Sequence, residues 1–263
     1  MVPKVILEPF KEYPVRIVSI TSMTENGGST GQLRKDFGVL PAGDISRHLI
    51  ALSEAPQWKR KLFYLRFGKE KFPGGHTGHR FGTVFISLME YVLGSFEKAL
   101  RLAHDFMEVK THKALPVTVN RVQLMAKLEN GKIIAGEDEI DVPKRHNPKL
   151  KIKKVFLKPK GKIFSETKKA IIEANLITLG PGDFYSSIIP CLLPTGMKTV
   201  LRKSKAKKLF ICNTMTKLGE THNFSILDFA KKTEKYMGCP LDFVIYHNGG
   251  LDKRRVKEYK KIK

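Results

Sequence analysis

Short apolar runs alternate with segments of helical periodicity along most of this chain. The run at residues 15–21 is rich in β-branched side chains, which predicts a buried strand. Similar runs predict a buried strand at residues 176–179 and further strands at residues 209–213 and 243–246. Because helical segments separate these runs, the pattern favours a parallel, doubly wound α/β sheet.

Helical periodicity is clearest after Ser95, which we expect to cap a helix. The apolar positions of that helix are Phe96, Ala99, Leu100, Ala103, Phe106 and Met107. The pattern also predicts a helix over residues 165–174 and another from about Tyr185.

Three other segments are less regular. Asp44 is predicted to cap a helix that runs through Leu52. The nearly continuous apolar segment at residues 83–93 fits either a helix or a strand. Residues 1–14 contain three prolines, so we expect at most one brief strand there, around residues 5–7.

The middle of the chain has a different pattern. Residues 117–119, 123–128 and 151–153 alternate as strands do, and Asn130-Gly131 is a signal for a two-residue hairpin loop. We therefore predict a small antiparallel β insertion over about residues 113–160, with lysines on its outer face or edge.

Composition narrows the class of protein. A chain of 263 residues with 41% hydrophobic residues fits a globular protein, here predicted as a single domain. The three cysteines lie far apart and indicate buried thiols in a reducing cytosol. The chain has neither a run of membrane-spanning length nor an N-terminal secretory signal, so we expect a cytoplasmic protein without membrane contact.

The net charge of +23 is unusually high, with 48 basic and 25 acidic residues. Such a charge attracts polyanions nonspecifically. Basic residues concentrate at residues 143–161, 195–218 and 253–263, without interleaved aromatic residues. This pattern favours a lysine-rich solvated surface over a dedicated nucleic-acid site.

Two glycine-rich loops follow predicted strands, the first at residues 27–31 and the second at residues 180–187. In the first, Ser29 and Gln32 form an S-x-x-Q capping box, and Gly38 is expected to end the helix. Backbone N–H groups at such a helix start bind phosphates, and Arg34 could add a positive charge. Neither loop matches the dinucleotide fingerprint or the Walker P-loop, so each is either a tight turn or an anion site. Two such loops together favour anion binding.

Other candidate residues carry weaker signals. Asp183 fits a helix cap as well as a ligand contact, and Asn213 follows a strand in a polar loop. His76 and His79 form an H-x-x-H pair without a nearby third ligand, which makes zinc improbable. No serine or cysteine has a base at a diagnostic spacing, so a hydrolase triad has no support.

Several strings occur in the order seen in the YvcK-type gluconeogenesis factors, which the chain resembles from about residue 12 to residue 249. The string L-G-P-G-x-x-Y-x-S-I-I-P at residues 179–190 is highly specific. The other matching strings are at residues 26–34, 40–45, 115–118, 213–216 and 219–221. These factors share a superfamily with the 2-phospho-L-lactate transferase (CofD) of deazaflavin coenzyme synthesis.

The resemblance implies a Rossmann-like three-layer α/β fold with a mainly parallel sheet. It also implies a cytosolic bacterial protein that acts in carbon metabolism and cell-shape control and binds a nucleotide sugar such as UDP-N-acetylglucosamine. The expected nucleotide- or phosphate-binding residues are Asn26, Gly27, Gly28, Ser29, Thr30, Gly31, Arg34, Asp44, His79, Gly180, Gly182, Asp183, Tyr185, Ser186, Ser187 and Asn213.

The chain also departs from the family pattern. It lacks the initial strand with a G-G-G-T-G loop, so either ligand binding is weakened or the start codon is misplaced. Glu25-Asn26 replaces the usual pair of aspartates, which weakens metal-assisted phosphoryl transfer. The C-terminus is a basic tail, at about residues 251–263, without the family's last strand. Further departures are at Ser46, Arg47, Thr83 and Phe224.

We therefore expect a regulatory protein that binds a nucleotide or UDP-sugar and requires no cofactor. One alternative is a CofD-like phospho-lactyl transferase, which would require magnesium. The other is a basic protein associated with nucleic acid. The sequence does not decide between catalysis and regulation, and it leaves homo-oligomerisation open.

Overall fold

The computed structural model describes residues 2–71, 77–143, 146–250, 252, 254 and 256–258. The α-helices are α1 (Val2–Phe10), α2 (Gly28–Phe37), α3 (Gly43–Leu52), α4 (Gln57–Tyr64), α5 (Phe81–Leu93), α6 (Phe96–Phe106), α7 (Glu137–Asp141), α8 (Ser165–Glu173), α9 (Met197–Lys203) and α10 (Ile226–Met237). The strands are β1 (Val18–Thr21), β2 (Arg66–Lys71), β3 (Thr77–Arg80), β4 (Lys113–Pro116), β5 (Gln123–Leu128), β6 (Ile133–Ala135), β7 (Ile152–Lys158), β8 (Leu176–Leu179), β9 (Lys207–Ile211) and β10 (Phe243–Ile245).

The expected mixed α/β fold with parallel strands and a small antiparallel sheet is confirmed. The described parallel strands form two sheets, β1-β4 and β10-β9-β8. The insertion forms the antiparallel sheet β6-β5-β7, and β2 pairs with β3. The helical alternative for residues 83–93 is the observed one, since α5 covers them.

Two clusters of buried side chains form the core. In one cluster α3, α5 and α6 pack around Phe63, whose ring stacks on Phe106 with centroids 5.7 Å apart. In the other, the insertion packs with β8 and β9 around Phe184 and Phe210. Both clusters exclude water through apolar contacts, which is the main stabilising term of such a fold.

Two local predictions are wrong. Residues 2–10 form helix α1 where a brief strand was expected. Pro3 lies in the first helical turn, where its missing N–H costs nothing, and Pro9 lies in the last turn, where it removes only one helical hydrogen bond. Residues 117–119 are not a strand. The backbone N–H of Val117 still bonds to Thr21, 2.9 Å away, but Thr118 then makes a local bond to the backbone N–H of Asn120.

Two cap predictions are confirmed. Ser95 caps α6 by accepting a hydrogen bond from the backbone N–H of Lys98, and Gly38 ends α2 in the left-handed region. The hairpin at Asn130-Gly131 is confirmed. Its loop has three residues, 129–131, because the backbone N–H of Leu128 already bonds to the carbonyl of Lys132 at 2.8 Å.

The described parallel sheets have open surfaces. Within the described residues, β1 pairs only with β4, and β8 pairs only with β9. One face of the three-stranded sheet is also half-exposed, so the prediction of a buried strand at residues 176–179 is wrong. Its exposed side chains are Leu176, Phe243 and Ile245. None of the helices in the described ranges has the length and apolarity needed to cross a membrane.

Candidate functional site

A large open cleft runs along the unpaired edges of β1 and β8 and reaches the loops at their carboxyl ends. Its volume of about 2680 Å³ exceeds what one small ligand fills. Both glycine-rich loops lie on its wall. Ligands of open α/β sheets bind at this position, outside the carboxyl ends of parallel strands.

The first glycine loop presents the start of α2 to the cleft. Gly27 is the N-cap, and no side chain caps the helix, so the predicted capping box is wrong. Ser29 lies within the helix and its hydroxyl hydrogen-bonds Nδ1 of His79 at 2.8 Å, while Gln32 bonds to Asp36. A Cβ at Gly31 would lie 2.1 Å from the carbonyl oxygen of Asn26, so this position requires glycine.

Helix α7 of the insertion fixes this loop. The side-chain amide of Asn26 donates to Oδ1 of Asp138 at 2.7 Å, and the backbone N–H of Asp138 donates back at 3.0 Å. Arg34 donates to the backbone carbonyls of Glu25 and Val122. Asn26 and Arg34 therefore stabilise the loop through protein contacts, and the phosphate contact of Arg34 stays a prediction.

Carboxylates and an arginine lie beside the loop. Asp44 is the second residue of α3, whose N-cap is Ala42, so its predicted capping role is wrong. Asp44 instead accepts from Arg47 at 2.5 Å, and Arg47 also lies 3.5 Å from Glu25. Burial, then the charge of Asp44, raises the pKa of Glu25 to about 7. Burial and the neighbouring carboxylates raise the pKa of Glu137 to about 9.

Three arginines of the cleft wall have an unused donor. The Nε atoms of Arg47, Arg60 and Arg80 are buried. Within the described residues, none of these three Nε atoms has a hydrogen-bond acceptor. The guanidinium of Arg80 stacks on the ring of Tyr64, 4.8 Å from its centroid. Burial, then the charges of Arg47 and Arg66, lowers the pKa of Arg80. These three Nε donors therefore lack an acceptor, and a bound anion would supply one.

The second glycine loop continues into a π-helical turn at residues 184–188. Tyr185 and Ser186 are buried there, and their backbone N–H groups donate to Oε2 of Glu220 at 2.6 and 3.2 Å. Asn213 donates to the carbonyl of Gly182 at 2.8 Å. These three residues fix the loop through hydrogen bonds and do not line the cleft, whereas Gly182 does.

An ammonium group lies among three carboxylates at the end of this loop. Nζ of Lys217 is 2.5 Å from Asp141, 3.3 Å from Asp183 and 3.4 Å from Glu220. Burial lowers the pKa of Lys217, but the hydrogen bond to Asp141 and the charge of Glu220 outweigh it and raise this pKa above its usual range. Burial raises the pKa of Asp183, and it raises the pKa of Glu220 to about 7.

The model of the family described as "2-phospho-L-lactate transferase CofD" matches residues 3–263. This chain belongs to the CofD family. The gluconeogenesis factor of Halalkalibacterium halodurans is 33% identical over 261 residues, 98% of this chain and 78% of that protein. The gluconeogenesis factor of Bacillus subtilis is 36% identical over 236 residues, 89% of this chain and 72% of that protein. The resemblance to the YvcK-type factors is thereby confirmed.

A solved structure agrees with this assignment to the CofD family. A Bacillus halodurans protein described as a member of the UPF0052 family has a TM-score of 0.90 and 32% identity, covering 99% of this chain and 82% of that one. The chain spans only 55% of a relative from Clostridium acetobutylicum to which it is 35% identical.

Most of the site residues predicted for this CofD-family chain lie on the cleft wall. They are Asn26, Gly27, Gly28, Ser29, Thr30, Gly31, Asp44, His79, Gly180, Gly182, Asp183 and Ser187. The predicted residues that do not line the cleft are Arg34, Tyr185, Ser186 and Asn213. His76 lies outside the described residues, so the H-x-x-H pair is not described as a whole.

Sequence reasoning missed several charged residues of the site. The acidic segment at residues 137–141 stands out in so basic a chain and could have been recognised by its charge. The arginines gave no such signal, because many basic residues surround them in the sequence. The missed residues are Arg47, Arg60, Arg80, Glu137, Asp138, Asp141 and Lys217.

A magnesium ion, which the transferase alternative needs, does not fit the carboxylates beside the second loop. Asp141, Asp183 and Glu220 each offer an oxygen, and these oxygens lie within 4.8 Å of one another. The ammonium of Lys217 already lies between them.

Proposed function

We propose that this protein binds a nucleotide sugar of the UDP-sugar class in the cleft and acts as a regulator of carbon metabolism, as a cytoplasmic gluconeogenesis factor. The observation that carries the proposal is the buried, acceptor-free Nε of Arg47, Arg60 and Arg80 on one cleft wall. A diphosphate carries the acceptor oxygens that these donors lack. The name of these relatives, gluconeogenesis factor, supports the role in carbon metabolism.

The start of α2 supports the same ligand class. Its first backbone N–H groups have no side-chain cap and lie on the cleft wall, where the positive end of the helix dipole attracts phosphate. The exposed ring of Tyr64 lies on the same wall and offers a stacking surface for a base. The volume of the cleft, about 2680 Å³, leaves room for both a nucleoside and a sugar.

Regulation by binding is favoured over catalysis. The CofD-like transferase alternative rests on the family model, but Glu25-Asn26 replaces the aspartate pair suited to its metal, and the carboxylates beside the second loop surround Lys217. We further propose that occupancy of the cleft reports nucleotide-sugar supply to carbon metabolism and to control of cell shape. Magnesium-dependent turnover of a phospho-lactyl nucleotide with a deazaflavin acceptor would replace this proposal by the enzymatic one.

The test is calorimetric titration of the protein with UDP-N-acetylglucosamine. We expect Arg80→Gln to weaken binding about tenfold or more, because a charged donor to the diphosphate is lost. Arg101→Gln is the matched control, since Arg101 lies on the exposed side of α6 and its side chain is 71% exposed. Equal binding by both variants, or no binding by the unaltered protein at millimolar ligand, would contradict the proposal.

A further inference from the structure

Three elements bring carboxylates together beside the second glycine loop. Asp141 ends α7, Asp183 follows β8, and Glu220 lies in the segment after β9. One oxygen from each lies within 4.8 Å of the others. Oxygen ligands at such spacing are what Mg²⁺, Mn²⁺ and Ca²⁺ bind. Without a cation, three carboxylates this close would repel one another strongly.

Lys217 supplies that cation from within the chain. Its Nζ contacts all three carboxylates, at 2.5 Å from Asp141, 3.3 Å from Asp183 and 3.4 Å from Glu220. The side chain of Glu220 is fully buried and that of Lys217 about one-third exposed. An ammonium has three donors, which matches one donor for each carboxylate.

Oxygens of Glu220 and Asp141 also have donors other than Lys217. Oε2 of Glu220 accepts from the backbone N–H groups of Tyr185 and Ser186, and the hydroxyl of Ser186, which has one proton to donate, lies 3.1 Å from both Glu220 and Asp141. A divalent ion would have to displace the ammonium and then share these oxygens with fixed donors. Two cations within 4 Å of each other would also repel.

We propose that Lys217 is a built-in cation that replaces a divalent metal ion at the Asp141–Asp183–Glu220 cluster, so that the protein is metal-independent there. Its ammonium offsets part of the negative charge of the three carboxylates and ties α7 to both strand-end segments. A second consequence, which rests on the proposed function, is that a UDP-sugar binds without magnesium.

The direct test is titration of the unliganded protein with Mn²⁺, with free Mn²⁺ measured by electron paramagnetic resonance. Removing the ammonium in Lys217→Gln should create a site that binds Mn²⁺ at least tenfold more tightly than the unaltered protein does. Lys217→Arg is the matched control, because it keeps the positive charge and should gain no site. Carboxylates elsewhere, such as Glu25 and Glu137, contribute equally to the Mn²⁺ binding measured for the unaltered protein and the two variants.

Two further variants locate the effect and guard against misfolding. The double variant of Lys217→Gln with Asp183→Asn should lose the gained site. Asp183→Asn alone should leave the weak Mn²⁺ binding of the unaltered protein unchanged, a result that does not depend on the folding of Lys217→Gln. The inference is overturned if the unaltered protein binds Mn²⁺ and Asp183→Asn weakens that binding, or if a folded Lys217→Gln gains no site.

The ligand-bound state gives a separate test. The affinity for UDP-N-acetylglucosamine should change less than twofold between EDTA and millimolar magnesium. An increase of tenfold or more with magnesium would overturn the metal-independent reading and leave the proposed function standing. An absence of binding under both conditions would overturn the proposed function, while the Mn²⁺ titration would still decide the role of Lys217.

Discussion

At the scale of single residues, several charged side chains near the glycine-rich loops bind other parts of the protein. Arg34 was expected to contact phosphate, yet it donates to the carbonyls of Glu25 and Val122. Arg80 had no assigned role in the sequence, yet its Nε is a buried donor on the cleft wall without an acceptor in the described chain. Residue type predicted the charge of the site, but the tertiary fold decides which cation faces the cleft.

Glu137 makes a prediction about stability that depends on pH. Its pKa is raised to about 9 in the folded protein, against about 4.5 in the unfolded chain. Between these values the unfolded state binds fewer protons, so the folded state loses stability as pH rises from 4.5 to 9. Glu137→Gln removes this penalty and should raise the free energy of unfolding by about 1–3 kcal/mol at pH 8, and by almost nothing at pH 4.5.

Urea unfolding at the two pH values measures this effect. Glu12→Gln is the control, because Glu12 is exposed and does not line the cleft. A gain for Glu137→Gln that is as large at pH 4.5 as at pH 8 would show that packing, rather than the buried acid, is responsible.

At the scale of elements, the short helix α7 joins the two glycine loops. Its Asp138 pairs with Asn26 of the first loop, and its Asp141 meets Lys217 and Ser186 beside the second. The sequence predicted the antiparallel insertion but no contact between it and the site. Local patterns reveal where strands and turns lie, whereas this contact spans 112 residues and arises only from the fold.

The contact between Asn26 and Asp138 can be measured by a double-mutant cycle. We expect Asn26→Ala and Asp138→Ala to show a coupling of about 1 kcal/mol in the free energy of unfolding, because the cycle isolates one side-chain hydrogen bond. The cycle also removes the separate effect of deleting a charge from the acidic surroundings of Asp138. Additivity within about 0.3 kcal/mol would mean that α7 does not hold the loop through this pair.

At the scale of the whole molecule, the order of strands and helices was predictable, and the openness of the sheets was not. Alternating apolar runs gave β8, β9 and β10 close to their observed bounds. The same apolar character suggested burial, yet Leu176 and Phe243 are half-exposed on one sheet face. Apolar side chains show that a strand would gain stability from burial. They do not show whether another element of the fold packs against it.

The open edges give a prediction for individual backbone amides. The carbonyls of residues 17 and 21 accept from the β4 side, so alternate residues of β1 point their N–H groups into the cleft. The same holds for β8, where the carbonyl of residue 175 accepts from Lys207. We expect fast hydrogen exchange at the amides that face the cleft, Val18, Ile20, Leu176 and Thr178.

Each strand contains its own control, because its other amides pair within the sheet. The slowly exchanging amides should be Ser19, Thr21, Ile177 and Leu179. Comparing amides within one strand removes differences in local unfolding between elements, since neighbouring residues unfold together. Amide exchange followed by NMR resolves these positions one by one. Equal protection along β1 and β8 would show that their edges are covered in solution, and the ligand cleft would then be narrower than the one described.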